Sequence, residues 1–208
     1  RQVQHHCAVN RSYFGEGVAP RGFFPPELAY DTSVATLART TGHGWLLLDE
    51  SAVAGTVGTT TFQPAYRHAS APLQLVVRNR VVSDYLFLHA TLNDPQEFWR
   101  VLANDGRSQE LLVTAMDMEN LGHHRPGLDA YWQQLVTMPN VTTMTVSDLL
   151  AATPVLAPLA PRACSWASQE DELRAGIPYA LWDHPENPLH RLQWQLVDAV
   201  RSLMTAAA

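Results

Sequence analysis

Short apolar runs alternate with helical patterns along this chain, and in four places a strand-like run hands over to a helix. No other feature constrains the fold as tightly, because repeated strand–helix units close as parallel strands joined by right-handed crossovers. The opening RQVQHHCAVNRSYF reads as a helix, and RGFFPPELAYD as a short buried strand halted at Pro25 and Pro26, which cannot donate to a ladder. A helix is expected from Ser33 to Thr41, capped by Asp31 or Thr32, with Gly42 past its end. GWLLLD predicts a strand buried on both faces and closed by Asp49. Residues 51–72 are polar and irregular, long enough for a loop to be suspected of function. LQLVVRNRVV predicts the next strand, NDPQEFWRVLANDG a helix ending at Gly106, and ELLVTAM a strand ending on Asp117. A helix over Leu128 to Met138, a strand VTTMTV and a helix from Ser147 follow. Pro154 to Pro161 reads as a linker, and NPLHRLQWQLVDAVRSLM as a last amphipathic helix. The expected division is a β/α body over residues 1–152, with 153–208 as a linker and helical segment packed on it.

Composition narrows the chemistry. At 208 residues, 46% hydrophobic and 16% charged, the chain is expected to form one soluble globular domain. All 14 basic side chains are arginine. A Schiff-base lysine, a lysine base and a P-loop lysine are therefore excluded, leaving carboxylates and histidines as acids and bases. A net charge of -6 and a pI near 5.8 argue against nucleic-acid or anionic-membrane partners. No apolar run reaches the ~18 residues of a membrane span. Cys7 and Cys164 make neither a CxxC nor a metal spacing, which points to a reduced, cytoplasmic protein.

In β/α folds ligands lie at the carboxyl ends of the strands. That rule selects Glu27, Asp49, Asp84, Asp117 and Glu119, each just past an expected strand. One such acid is ordinarily a helix cap or a solvated loop residue. Five on one rim, with no lysine and a neutral partner expected, favour a carboxylate-based active site.

GFFPPELAYD and TAMDMENLGHH together resemble the family 57 glycoside hydrolases, which act mainly on α-glucans. The family's catalytic glutamate lies in a G-x-W-x-P-E motif, and this sequence reads GFFPPE with Phe24 at the tryptophan position. Its catalytic aspartate lies in a D-x-E motif with a glycine shortly after, matched by DMENLG. WLLLDE, RNRVVSDYL and ALWDHPENPLHRLQW also look like family elements, the last a diverged form of a late substrate-contacting motif. The resemblance implies a partial (β/α)7-type barrel with parallel strands and its first strands missing, since the family's two earliest motifs have no counterpart before Arg1. Activity is then expected of a longer catalytic domain.

By the same resemblance Glu27 is the nucleophile and Asp117 the general acid/base of a retaining hydrolase or transglycosylase. Asp49, Arg80, Asp84, Glu119, His123 and Trp182 are the expected substrate contacts. An oligo- or polysaccharide is the expected partner, and no cofactor or metal is expected. Tyr30, Trp45 and Trp166 are further candidates for stacking on sugars, although tryptophans at strand ends more often belong to a core. Retention needs a carboxylate to attack the anomeric carbon and another to protonate the leaving oxygen. Asp117 is accordingly expected to hold a proton against the charges of Glu27 and Glu119. Two rival readings are weighed. A metal-dependent polysaccharide deacetylase would draw on Asp117, Glu119, His123 and His124, but adjacent histidines point apart and suit a metal poorly. A carbohydrate-binding remnant without turnover is the other. His5 and His6, on one helix, diverge by about 100° and make no pair.

Overall fold

A computed structural model describes residues 1–88, 94–105, 111–153 and 156–206. Its centre is a five-stranded sheet of β1 (Gly22–Phe23), β2 (Trp45–Asp49), β3 (Ala65–His68), β4 (Gln74–Arg78) and β5 (Pro158–Leu159) in the order β1-β2-β4-β3-β5. β1 pairs with β2 and β2 with β4 in parallel, β3 lies antiparallel to β4, and β5 runs parallel to β3. The mostly parallel α/β character expected from the alternation is present.

Period-two geometry explains why β2 and β4 sit in the middle. Leu46, Leu48, Leu75 and Val77 enter one core with Tyr30, Ala35 and Ala38, under helix α2 (Thr32–Thr40). Leu47 and Val76 point the other way, to Leu28 and to Leu149 and Leu150 of helix α7 (Val146–Ala152). A strand buried on both faces needs a continuous apolar run, and WLLL supplies it. A further cluster joins α4 (Arg80–Leu88), α5 (Gln96–Asn104) and α6 (Leu128–Val136) through Val82, Leu86, Phe98, Leu128 and Leu135.

Helix α1 (Gln2–Phe14) agrees with the opening pattern. In α2 the Asp31 carboxylate accepts from the backbone N–H groups of Ser33 and Val34 at 2.8 and 3.1 Å, and Gly42 follows at φ 87. Asp94 Oδ1 accepts from Gln96 N–H at 2.9 Å at the start of α5, while Gly106, Glu110 and Pro154 lie outside the described residues.

Four expectations are corrected. The strand LQLVVRNRVV stops at Arg78, because Asn79 accepts from Val82 N–H through Oδ1 (3.0 Å) and begins α4 at Arg80. The irregular stretch 51–72 holds a short helix, α3 (Ser51–Ala54), and the strand AYRH, hidden by its length and by the exposed Arg67. Residues 111–116 of ELLVTAM form no ladder with the described residues. Val113 O accepts from Asn79 N–H at 2.8 Å, but Ala115 is held by side chains, its N–H by Ser83 Oγ (3.2 Å) and its carbonyl by Arg78 Nη1 (3.0 Å). Residues 141–145 of VTTMTV are likewise unpaired as a strand, since Thr145 closes a capping box with Asp148 for α7.

The segment after residue 152 divides in two. Its first part belongs to the body: β5 completes the sheet, Cys164 is fully buried, and Tyr30 and Cys164 exchange backbone hydrogen bonds at 2.8 and 3.2 Å. Short helices α8 (Glu170–Arg174) and α9 (Ala180–Asp183) follow. The last helix, α10 (Pro188–Ala206), was expected to pack on the barrel but buries none of its residues; Trp194 Nε1 donates to the Trp182 carbonyl at 3.0 Å and ties it to α9. Among the described residues, no helix is long and apolar enough to cross a membrane.

Candidate active site

Beneath the carboxyl ends of β2 and β4 lies an ion cluster that the sheet register makes unavoidable. Parallel pairing sets Asp49 opposite Arg78, and Arg80 follows at the head of α4. Asp49 is fully buried, with Arg78 Nε at 2.8 Å and Arg80 Nη2 at 2.6 Å. Ser51 adds its N–H (3.0 Å) and hydroxyl (2.8 Å). Burial pushes the Asp49 carboxyl up, but the two guanidinium groups and Ser51 outweigh it and hold it below the ordinary range. Arg80, also buried, donates to the carbonyls of Ser168 (2.7 Å) and Ser165 (3.0 Å). Both residues were expected at sugar hydroxyls. The structure sets them below the surface, fastening the 165–168 loop to the sheet.

Arg78 connects this cluster to the rim. Besides Asp49 it donates to Ala115 O, which lies two residues before Asp117, and to Asp84 Oδ1 at 3.3 Å. Its guanidinium carbon stands 5.1 Å from the centre of the Trp166 ring. Asp84 is half exposed; burial raises its pKa, and Arg78 and Arg80 oppose the rise. Asp84, Trp166, Gln169, Glu170 and Arg174 border a polar cleft of about 490 Å³.

Glu27 occupies a strained turn. After β1 the chain meets Pro25 and Pro26 and folds into a 3-10 turn in which Glu27 has φ 58, ψ 15 and Leu28 has φ 46. Positive φ costs a residue with a Cβ roughly 1–2 kcal/mol, and such strain gathers at functional sites. Burial of Leu28, 0% exposed, secures the turn from below. From the side, Trp166 donates its backbone N–H to Glu27 O (3.0 Å) and its indole Nε1–H to Glu27 Oε2 (2.7 Å). Phe24 meets the edge of the same indole at 5.9 Å.

Asp117 precedes a 3-10 turn, Met118–Asn120, rather than extending a strand. Glu119 lies within that turn, exposed, with His124 Nε2 at 3.2 Å. The electrostatic coupling remains. The Asp117 carboxyl is pushed up by partial burial, then by the charges of Glu119 and Glu27, against smaller opposing effects of His124 and Arg78. Asp117 thus lies within electrostatic reach of Glu119, Glu27 and Arg78, while Glu27 bonds Trp166 and Asp84 pairs with Arg78.

The other candidates stand apart from this group or below it. His123 is exposed, its ring 4.6 Å from that of His124. Trp182 stacks on Tyr179 at 5.6 Å, in the company of Trp194. Tyr30 is a core residue whose hydroxyl meets His68 Nε2 at 3.0 Å, and the Trp45 ring lies over Gly22, where an added Cβ would come within 2.0 Å of it. Among the described residues, no group of three His, Cys, Asp or Glu side chains is placed to hold a metal ion. Sequence reasoning missed Arg78 and the bond from Trp166 to Glu27. The signal for Arg78 was present in the equal offsets of Asp49 and Arg78 from the starts of their strands; 139 positions separate Glu27 from Trp166, and no local pattern spans them.

Comparison with known proteins bears on this arrangement. The model of glycosyl hydrolase family 57 matches residues 1–153. No curated protein matches. Among solved structures, the chain is similar to a family 57-type branching enzyme from Pyrococcus horikoshii (15% identity, TM-score 0.62), covering 89% of this chain and 46% of that one. A family 57 branching enzyme from Thermococcus kodakaraensis (13%, TM-score 0.58) is covered over 83% and 46%. An exo-type maltose-forming amylase from Pyrococcus sp. ST04 (15%, TM-score 0.62) is covered over 86% and 34%. The chain spans less than half the length of these structures, and at such identities the likeness shows a common fold. The family match, covering the segment that carries Glu27 and Asp117, supplies the rest: the chain belongs to glycosyl hydrolase family 57.

Proposed function

We propose that this chain carries the catalytic carboxylates of a retaining glycoside hydrolase or transglycosylase acting on α-glucan, with Glu27 as nucleophile and Asp117 as general acid/base. The observation that carries the reading is the unequal setting of two acids on one rim. Partial desolvation, then the charges of Glu119 and Glu27, push the Asp117 carboxyl up from its ordinary value. Glu27, exposed as Asp117 is, differs in having Oε2 engaged by the Trp166 indole N–H.

Catalysis then runs in two steps. Glu27 attacks the anomeric carbon as Asp117 passes its proton to the leaving glycosidic oxygen, giving a glycosyl ester. Asp117, now ionised, takes a proton from water or from a sugar hydroxyl, and that oxygen displaces Glu27. Water gives hydrolysis; a glucan acceptor gives transfer, which the branching enzymes' likeness in fold makes equally compatible. Asp84, Glu119 and His123 are assigned to hydroxyl contacts and Trp182 to a more distant sugar, while Asp49 and Arg80 act by holding the frame. Two free cysteines fit a reducing compartment such as the cytoplasm.

The test is to incubate the full-length protein with maltooligosaccharides and follow the first-formed anomer by proton NMR. The α-anomer, or longer and branched products, is expected. First appearance of the β-anomer would overturn the double displacement, and acetate release from an acetylated glycan would replace the reading with a deacetylase.

A further inference from the structure

We infer that Trp166 is the positioning residue of Glu27, its indole N–H fixing which carboxylate oxygen faces the anomeric carbon. The inference rests on the proposed role of Glu27 and adds a group that the motif resemblance did not assign. Glu27 is exposed, and an unrestrained glutamate on a turn would sample several rotamers. Here Oε2 is engaged by Trp166 Nε1 at 2.7 Å, a charge-assisted distance when the carboxylate is ionised, which leaves Oε1 to attack.

The donor is itself held on several sides. Its backbone N–H bonds Glu27 O, and three residues further along the turn Tyr30 and Cys164 exchange two backbone bonds, so the two segments are braced antiparallel with Glu27 opposite Trp166. Arg80 anchors the carbonyls on both sides of Trp166, at Ser165 and Ser168. Arg78 lies over the ring and Phe24 against its edge. An indole so confined has little freedom to serve as a mobile sugar platform, whereas its N–H is aimed at the acid. The buried Asp49 cluster thereby reaches the nucleophile through one aromatic ring.

Two measurements test this. In 15N-labelled wild-type protein the Trp166 indole resonance is assigned through its own residue's sequential backbone resonances. Glu27→Gln is expected to move it further than any other indole resonance; an unmoved resonance overturns the inference. In the full-length enzyme, Trp166→Phe keeps the ring and removes the donor, and is expected to lower kcat by roughly 10- to 100-fold with KM nearly unchanged. An unchanged kcat, or a raised KM with kcat intact, overturns it, the latter marking Trp166 as a substrate platform. The NMR arm retains the wild-type ring and holds even where Trp166→Phe folds poorly. Full activity in Glu27→Gln would instead remove the nucleophile assignment, whereas an inactive Glu27→Gln beside a fully active Trp166→Phe would remove this inference alone.

Discussion

Asp49 and Arg78 face each other across adjacent parallel strands, joined at 2.8 Å with side chains 0% and 4% exposed. Their pairing carries the first prediction. Asp49→Asn removes the ion-pair partner of buried Arg80 and leaves Arg78 with only the half-exposed Asp84, and breaking a buried pair in this way costs roughly 3–5 kcal/mol. Urea unfolding is expected to show that loss, and a change under about 1 kcal/mol contradicts a structural role.

The same pair sets an acid limit on stability. Asp49 is held below its ordinary value in the folded state, so its contribution is complete above the unfolded pKa and is lost as pH falls through the folded one. Thermal melts taken downward from pH 5 should therefore show a falling Tm, and a shallower fall in Asp49→Asn. Parallel slopes in the two proteins would assign acid lability elsewhere.

Asp117 gives a prediction of opposite sign. In the proposed general-acid role its raised carboxyl must be protonated to act, so activity is expected to be lost as pH rises through its pKa. Glu119→Gln removes one of the charges that raise it, and the alkaline limb of kcat/KM is expected to move to lower pH. In Asp117→Ala, turnover of a glucan should nearly vanish while an activated aryl glycoside, needing little protonation, still forms its glycosyl intermediate. Equal loss on both substrates contradicts the acid role.

How much of this was legible in the sequence follows from particular residues. WLLL and the Asp31 cap are local signals, and both agree with the structure. ELLVTAM has the apolar run of a strand, but pairing is a property of neighbours, and its hydrogen bonds run to Arg78 at the end of β4, to Asn79 after it and to Ser83 of α4. AYRH is too short to announce itself, and its partner strands supply what its own four residues lack. At the site, Glu27 and Asp117 were marked by their motifs, whereas Asp49 is enclosed by Arg78 and Arg80 from other elements, and Arg80 in turn is fastened to the distant 165–168 loop. Charge alone does not distinguish a binding residue from a fastening one.

The strained turn at Glu27 predicts a conflict between stability and activity. Glycine relieves the positive φ at a cost in unfolded-chain entropy, for a net gain of about 0.5–1 kcal/mol. Glu27→Gly is expected to melt no lower than the wild type and to be inactive. A clear loss of stability would mean that the Trp166 contact, and not the backbone, dominates at this position.

Thiol labelling checks the core. Burial pushes the Cys164 thiol up to about 12, while Cys7 is partly exposed on α1. A thiol reagent at pH 8 is expected to label Cys7 promptly and Cys164 only on unfolding. Rapid labelling of both would contradict the packing of Cys164 against Tyr30.

The nucleophile assignment meets its most direct test in a trapping experiment. An activated fluorinated glucosyl substrate that forms its enzyme ester faster than it releases it is incubated with the full-length protein, which is then digested and mapped by mass spectrometry. One glycosyl group on the peptide bearing Glu27, and none on Glu27→Gln, is the predicted result; a glycosyl group on any other carboxylate, or turnover with no trapped ester, would contradict it.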